Sequence, residues 1–329
     1  MLKGRGLSMI KFGVIGSGWI AEEFVKGAKL VDGFIFSAMY SRTYEKGKSF
    51  AENFGDVPVY TDINDFAKSD IDAVYIASPN SLHYSQSKLM LENGKHVLCE
   101  KPITITTEEF IELDALAESK NLVYTEAIMM LHLSQRKIIK EKLKALGNIS
   151  TAHFDFSQLS SKYPALLRGE NPNIFNPAMK TGCLRDLGIY CFYPAIDFFG
   201  APKKIISSAG FLSTGADGYG AAILNYDDKQ ITLTYSKIGQ DFSGSQIIGD
   251  KATMTFGSIS KLTDVEIHYN DGSKEKLVGE IEKHILMSEE AKDFCGYISS
   301  KDNNLSEVNS TILSVVKLMN TVIKQCHII

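Results

Sequence analysis

Lysine is costly to bury, so a lysine that closes an apolar strand needs a reason to be there. Lys101 stands in that place, in the run His96-Val97-Leu98-Cys99-Glu100-Lys101-Pro102. In an open α/β sheet the carboxyl ends of the strands face the ligand crevice, which makes Lys101 a candidate for substrate or proton handling. A surface lysine before a loop proline is the plainer alternative. Pro102 restricts Lys101 to extended backbone and makes a cis 101–102 bond accessible. A second group of reactive side chains lies in Gly182-Cys183-Leu184-Arg185-Asp186-Leu187-Gly188-Ile189-Tyr190. Asp186 and Tyr190 are four apart, so on a helix they share a face. Gly188 between them costs a helix about 1 kcal/mol relative to alanine, and so marks close packing or ligand access. A carboxylate and a phenol on one face, with room for a ligand between them, form the second candidate group. A half-buried core tyrosine beside a locally paired aspartate is the alternative.

The strongest local pattern is Gly13-Val14-Ile15-Gly16-Ser17-Gly18-Trp19-Ile20-Ala21. It places G-x-G-x-x-A between a strand and a helix. Gly16 permits the tight turn, Gly18 lets the backbone approach a pyrophosphate, and Ala21 keeps the helix close to the sheet. Ser17, Trp19 and Ile20 complete a helix N-terminus whose open N–H groups and dipole favour a diphosphate. A dinucleotide site is the expectation. The second strand ends in Tyr40-Ser41-Arg42, without the Asp or Glu that normally holds the ribose of NAD. A hydroxyl and a guanidinium suit a 2′-phosphate, so NADP is expected ahead of NAD. Ser41 capping the next helix beside a solvated Arg42 is the other option. Ser78-Pro79-Asn80 and His83 follow a further buried strand. With Glu100 and Lys101 they complete the residues expected around the cofactor, although His83 serves equally well as a structural histidine.

The rest of the composition narrows the class. The chain has 329 residues, 44% hydrophobic and 22% charged, which excludes a disordered chain or a disulfide-dense miniature. Its net charge of −4 argues against a dedicated nucleic-acid partner. No apolar run approaches the roughly 18–20 residues that span a bilayer, so no membrane partner is expected. Met1–Ser8 carries no apolar segment behind its basic residues and does not read as a signal peptide. The five cysteines, Cys99, Cys183, Cys191, Cys295 and Cys326, are odd in number and lack C-x-x-C spacing. They read as reduced thiols of a cytoplasmic protein. The scattered histidines support no metal site.

The elements that must position these groups fall into two textures. Strand-like runs at Ile10–Ile15, Phe34–Tyr40, Ala73–Ala77, His96–Cys99 and Leu122–Thr125 alternate with amphipathic stretches. The latter are Ile20–Leu30, Glu45–Phe54, Leu82–Glu92 and Thr107–Lys120, with another at Ser134–Ala145 before Gly147. These are βα units with a doubly wound parallel sheet. Beyond Ile149 strands follow one another, from Ser150–Phe156 to Val265–Tyr269, interrupted by a helix at Leu184–Phe199. Helices near Met287–Ser300 and Ser306–Lys324 close the chain. That is an α+β domain on a large, mostly antiparallel open sheet. The expected boundaries are 9–147 for dinucleotide binding and 148–329 for substrate binding and oligomerisation.

Taken together, Gly16-Ser17-Gly18, Glu100-Lys101-Pro102 and Asp186-x-Gly188-x-Tyr190 resemble the Gfo/Idh/MocA oxidoreductases, over nearly the whole chain from Met9 onward. Tyr190, where inositol dehydrogenases tend to carry histidine, looks most like the dihydrodiol dehydrogenase, xylose dehydrogenase and glucose–fructose oxidoreductase branch. The resemblance implies a Rossmann domain, then a domain with a large open sheet. It also implies Lys101 and Tyr190 at the hydride-transfer site and Asp186 as a substrate contact. Tyrosine titrates near 10, and a lysine ammonium lowers it, so Tyr190 is expected as acid/base with Lys101 as its helper. Thr181, Cys183 and Arg185 depart from the family's glycine-rich and apolar pattern, as does Ile128-Met129-Met130-Leu131-His132; all bear on the substrate side. The expected substrate is a small sugar, polyol or diol. A catalytically inactive cofactor-binding regulator of the same fold is the competing expectation. An open, half-apolar sheet face needs cover, which predicts a homodimer or higher homo-oligomer.

Overall fold

The computed structural model describes residues 9–300 and 304–329. Met1–Ser8, read above for a signal peptide, lie outside the described residues.

The first sheet grows from strands buried on both faces. β1 (Ile10–Ile15), β2 (Phe34–Tyr40), β3 (Val59–Tyr60), β4 (Ala73–Ile76), β5 (His96–Glu100) and β6 (Tyr124–Ala127) run parallel. β4 and β6 are buried at every position, which a parallel sheet covered by helices requires. Between the strands come α1 (Trp19–Ala28), α2 (Tyr44–Glu52), α3 (Ile63–Ala67), α4 (Asn80–Glu92) and α5 (Thr107–Ser119). The order β3-β2-β1-β4-β5-β6 reverses beside β1, so the switch point lies between the carboxyl ends of β1 and β4. β3 and α3 escape the pattern of the sequence because both are short. The signal that could have found α3 is Asp62, whose carboxylate caps it by accepting from the Asn64 N–H at 2.7 Å.

The second sheet has eight strands. After α6 (Ser134–Lys142) come β7 (Ile149–Ser157), α7 (Tyr163–Leu167) and α8 (Ile189–Phe199). β8 (Lys204–Phe211), β9 (Asp217–Asn225), β10 (Gln230–Ser236) and β11 (Ser245–Gly249) follow, then β12 (Ala252–Ser258), β13 (Thr263–Tyr269) and β14 (Lys274–Val278). Their order is β14-β13-β12-β11-β7-β10-β9-β8, antiparallel throughout except for β7 against β10. From Ile231 to Ser236, β10 alternates between buried and half-buried residues, so one face packs and the other is more open. β14 escapes the pattern of the sequence because Lys274-Glu275-Lys276 masks its period.

The chain forms two compact units that interleave in sequence. The first takes the described residues through Thr104, with Glu108–His132 and Glu282–Asn309; the second takes Ile105–Thr107, Leu133–Ile281 and Ser310–Ile329. One break, giving 9–147 and 148–329, differs from this in two places. α6 belongs with the second sheet: Gln135 donates to the Lys261 carbonyl at 3.2 Å, and the Leu146 carbonyl accepts from Lys251 N–H at 3.0 Å. α9 (Lys283–Ser299) returns to the first unit and packs along α1, with Phe294 edge-on to Phe34 of β2 at 6.3 Å. The chain then changes unit within α10 (Leu305–Cys326).

Candidate active site

The glycine turn is built as its pattern demands. Gly16 has φ of +109°, and a Cβ there would stand 2.3 Å from the Ala77 carbonyl oxygen at the end of β4. Only glycine fits that crossing of two strand ends. Gly18 differs: a Cβ on it would meet nothing within 4 Å, and no side chain caps α1. The space above Gly18 and the uncapped N–H groups behind it fit a diphosphate. Ser17 is exposed and Ile20 half-buried. Trp19 is exposed, with the Lys283 ammonium 4.5 Å above its ring.

At the end of β2, Ser41 is buried and donates its N–H to the Tyr60 carbonyl at 3.1 Å. It does not cap the next helix, since α2 starts from Thr43. Arg42 is exposed at this strand end, where a 2′-phosphate would be held.

The loop that carries Lys101 is clamped from beneath by three buried titratable side chains. Glu100 accepts from the Tyr75 hydroxyl at 2.5 Å and from the Lys101 N–H at 3.2 Å. Glu126, on β6, accepts from the Ile103 N–H at 2.6 Å. His83 Nδ1 lies 2.8 Å from the Pro102 carbonyl and Nε2 lies 2.8 Å from the Ser78 carbonyl. His83 therefore ties the loop after β4 to the loop after β5. Burial pulls its pKa down against the two carbonyls, so the neutral ring donates to one of them at a time. Burial likewise raises Glu100 and pushes Glu126 up to about 8. The structure thus places His83 and Glu100, both expected as cofactor contacts, under the loop with their polar atoms committed inward. Ser78 directs its hydroxyl to Gln86 at 2.6 Å, while Pro79 is exposed and Asn80 opens α4. The Lys101–Pro102 bond is cis.

In the second unit, Asp186 and Tyr190 do not sit on one regular α-helix. Leu184–Gly188 is a π-helical turn, and α8 begins at Ile189. Such turns concentrate at functional sites, because they rotate side chains out of the α register. Gly182 precedes the turn with φ of +114°, and a Cβ on it would meet Asp217 Oδ1 at 2.0 Å. Asp217 is 1% exposed and accepts from the Leu184 N–H at 2.6 Å, so β9 caps the turn from outside. Burial raises the Asp217 pKa, with the Leu184 N–H, Arg185 and Lys237 opposing. Asp186 is paired with Lys237, Nζ to Oδ2 at 2.6 Å. Tyr190 is half-buried, edge-on to Phe156 at 5.2 Å. Gly188 serves packing and not ligand access: a Cβ there would press on the Tyr235 ring at 3.0 Å. Arg185 is buried and donates to the Ile329 carbonyl at 2.9 Å. Sequence reasoning missed Asp217 and Lys237. Each lies at a strand end, Asp217 opening β9 and Lys237 following β10, but nothing local marks them as partners of residues so distant in the chain.

Residues 10–128 match the model described as an oxidoreductase family with an NAD-binding Rossmann fold, and residues 135–255 match the GFO/IDH/MocA C-terminal domain. The chain belongs to the Gfo/Idh/MocA family of oxidoreductases. Among its Gfo/Idh/MocA relatives, scyllo-inositol 2-dehydrogenase (NADP(+)) of Bacillus subtilis is 37% identical over 325 residues, covering 98% of both chains. Trans-1,2-dihydrobenzene-1,2-diol dehydrogenase of Xenopus tropicalis is 28% identical over 235 residues, 69% of each chain. A 3-ketoreductase from Actinomadura kijaniata, solved with NADP and TDP-benzene, shares the fold with a TM-score of 0.84 at 22% identity. That alignment covers 96% of this chain and 98% of the other. The inositol relative matches at higher identity than the dihydrodiol enzyme does.

Proposed function

We propose that this chain moves a hydride between NADP and a carbinol or carbonyl carbon of a small polyol, sugar or diol. The observation that carries this reading is one sheet edge. The open cradle at Gly18, the exposed Arg42 and the clamped Lys101 loop all stand at carboxyl ends of the same parallel strands. The NADP named for the Bacillus relative and for the 3-ketoreductase structure supports the cofactor choice.

The nicotinamide, when bound, supplies or takes up the hydride. Gly16 and Gly18 admit the diphosphate, and Arg42 with Ser41 meets the 2′-phosphate. In the reducing direction Tyr190 gives its phenolic proton to the developing alkoxide. Lys101 stabilises the tyrosinate left behind and donates to the substrate oxygen. Asp186 accepts from a neighbouring hydroxyl and so orients the reacting carbon.

A homodimer formed through the open sheet face completes the reading. Ile206, Tyr219 and Ala221 are exposed at its β8–β9 end, which supports cover by a second copy. Static light scattering should give twice the chain mass at micromolar concentration; a monomer overturns this part. All five cysteines are free thiols, in keeping with a cytoplasmic location.

The test is a spectrophotometric panel of inositols, aldoses and diols with NADP and NAD, read at the reduced-nicotinamide band. Turnover of at least one polyol, faster with NADP, is expected. Cofactor binding with no turnover across the panel would replace the enzyme reading with that of an inactive regulator.

A further inference from the structure

We infer that Lys237 is the positioning residue for the Asp186 carboxylate, and through it for the hydroxyl of a neutral polyhydroxylated substrate. This deepens the proposed function and rests on it. The pair is asymmetric: the Lys237 side chain is 1% exposed, whereas that of Asp186 is 31% exposed. The cation is wholly interior and the carboxylate stands at the boundary with solvent. Both flanks of Lys237 are fixed. Its N–H donates to the Gly218 carbonyl at 2.8 Å, and its carbonyl accepts from the Ser160 N–H at 2.9 Å. The ammonium also lies 5.9 Å from the Phe175 ring centroid.

A buried ion pair is a poor device for stability alone, since apolar residues of the same volume often pack as well or better. What it supplies here is direction. Asp186 sits in a π turn, its N–H donating to the Gly182 carbonyl at 3.2 Å while its carboxylate reaches out of the turn to the Lys237 ammonium. Lys237 provides that direction from the end of β10. Charge follows the same logic. Among the described residues Asp217 and the Cys183 thiol are titratable groups near Lys237, the thiol also near Asp186, with Arg185 next to Asp217. Lys237 neutralises Asp186, so the pair asks for no cation on the substrate. Hydroxyl groups, which donate to a carboxylate without adding charge, are the matching chemistry.

The test is a double-mutant cycle on the full-length enzyme with NADP, using scyllo-inositol or whichever panel polyol the wild type turns over best. Lys237→Met should raise KM about tenfold or more while kcat changes only a few-fold, because an orienting contact is lost and the proton-transfer group is kept. The acid limb of kcat/KM should move to higher pH, since a carboxylate without its ammonium holds a proton more tightly. Lys237→Arg keeps the cation and should leave that limb in place. In an Asp186→Asn background, Lys237→Met should add less than about twofold, as expected of coupled residues. A folded Lys237→Met with KM and pH limb unchanged overturns the inference, and so do equal losses in both backgrounds. Should Lys237→Met fail to fold, Lys237→Gln is held to the same outcomes. An Asp186→Asn enzyme with unchanged KM instead overturns Asp186 as the substrate contact. No turnover of any polyol by the wild type overturns the functional reading, and this inference with it.

Discussion

Two turns in this protein begin the same way and are held differently. Gly16 and Gly182 both take left-handed backbone, at φ of +109° and +114°. Against Gly16 stands a backbone carbonyl, that of Ala77; against Gly182 stands a side chain, the Asp217 carboxylate. The first turn therefore owes its shape to the backbone of adjacent parallel strands, provided that position 16 is glycine. The second owes its shape to particular side chains, one capping Leu184 from 33 residues away and one pairing with Asp186. A backbone-held turn suits a constant ligand such as a diphosphate. A side-chain-held turn suits the part of a site that must vary with the substrate.

The sharpest break of this comparison separates chemistry from binding. Tyr190→Phe and Lys101→Ala should each cut turnover about 10²–10⁴-fold, the usual loss for a proton-transfer group, with NADP affinity by fluorescence titration retained. The two losses should not add, because the residues act as one unit. Near-normal turnover in Tyr190→Phe would move the acid/base role to a bound water.

Next in size come the glycines of the first turn. Gly18→Val should abolish NADP binding at a melting temperature close to wild type, because among the described residues nothing beyond its own chain neighbours lies within 4 Å of the new Cβ. Gly16→Ala should instead lower stability, by about 1–3 kcal/mol for the strained backbone and more from the carbonyl clash. Calorimetry and cofactor titration on the two variants read the contrast directly; a reversal of the pattern would refute the cradle.

A smaller effect tests cofactor choice. Arg42→Ala should weaken NADP by roughly 1–3 kcal/mol, the range for a charged hydrogen bond, and leave NAD nearly unchanged. Equal weakening of both cofactors would remove Arg42 from the 2′-phosphate.

The least expected change concerns pH. Glu126 is buried with its pKa raised to about 8, above its ordinary value of 4.5. The folded state then binds a proton that the unfolded state has lost, so this group's stabilisation is full below about pH 4.5 and fades as pH rises through 8. Glu126→Gln keeps an acceptor for the Ile103 N–H and removes the titration. Urea unfolding from pH 5 to 8 should show a shallower decline in the variant; identical slopes would dismiss Glu126 as the source.

Most of the first unit was legible because its signals are local. The glycine turn, the strand before it and the helix after it lie within one stretch, and β1 and β2 begin and end where their apolar runs do. His83 and Glu100 show the limit of that legibility. Their positions next to strand ends suggested cofactor contacts, yet burial commits both to holding the Lys101 loop. A motif reports which strand end a residue occupies, not whether its side chain turns outward or inward.

The sequence by itself determined the family, the two sheet textures, the diphosphate turn and the candidate roles of Lys101, Asp186 and Tyr190. The textures and the turn rest on spacing and periodicity, which act between near neighbours in the chain, whereas the family and the candidate roles rest on the resemblance carried by three motifs. Only the tertiary structure decided that α9 belongs with the first sheet, that Gly188 is a packing glycine, and that Asp217 and Lys237 hold the Asp186 turn. The physical reason is that a buried charge or a cap is settled by whichever distant strand brings a partner within about 3 Å, and no local pattern encodes that partner.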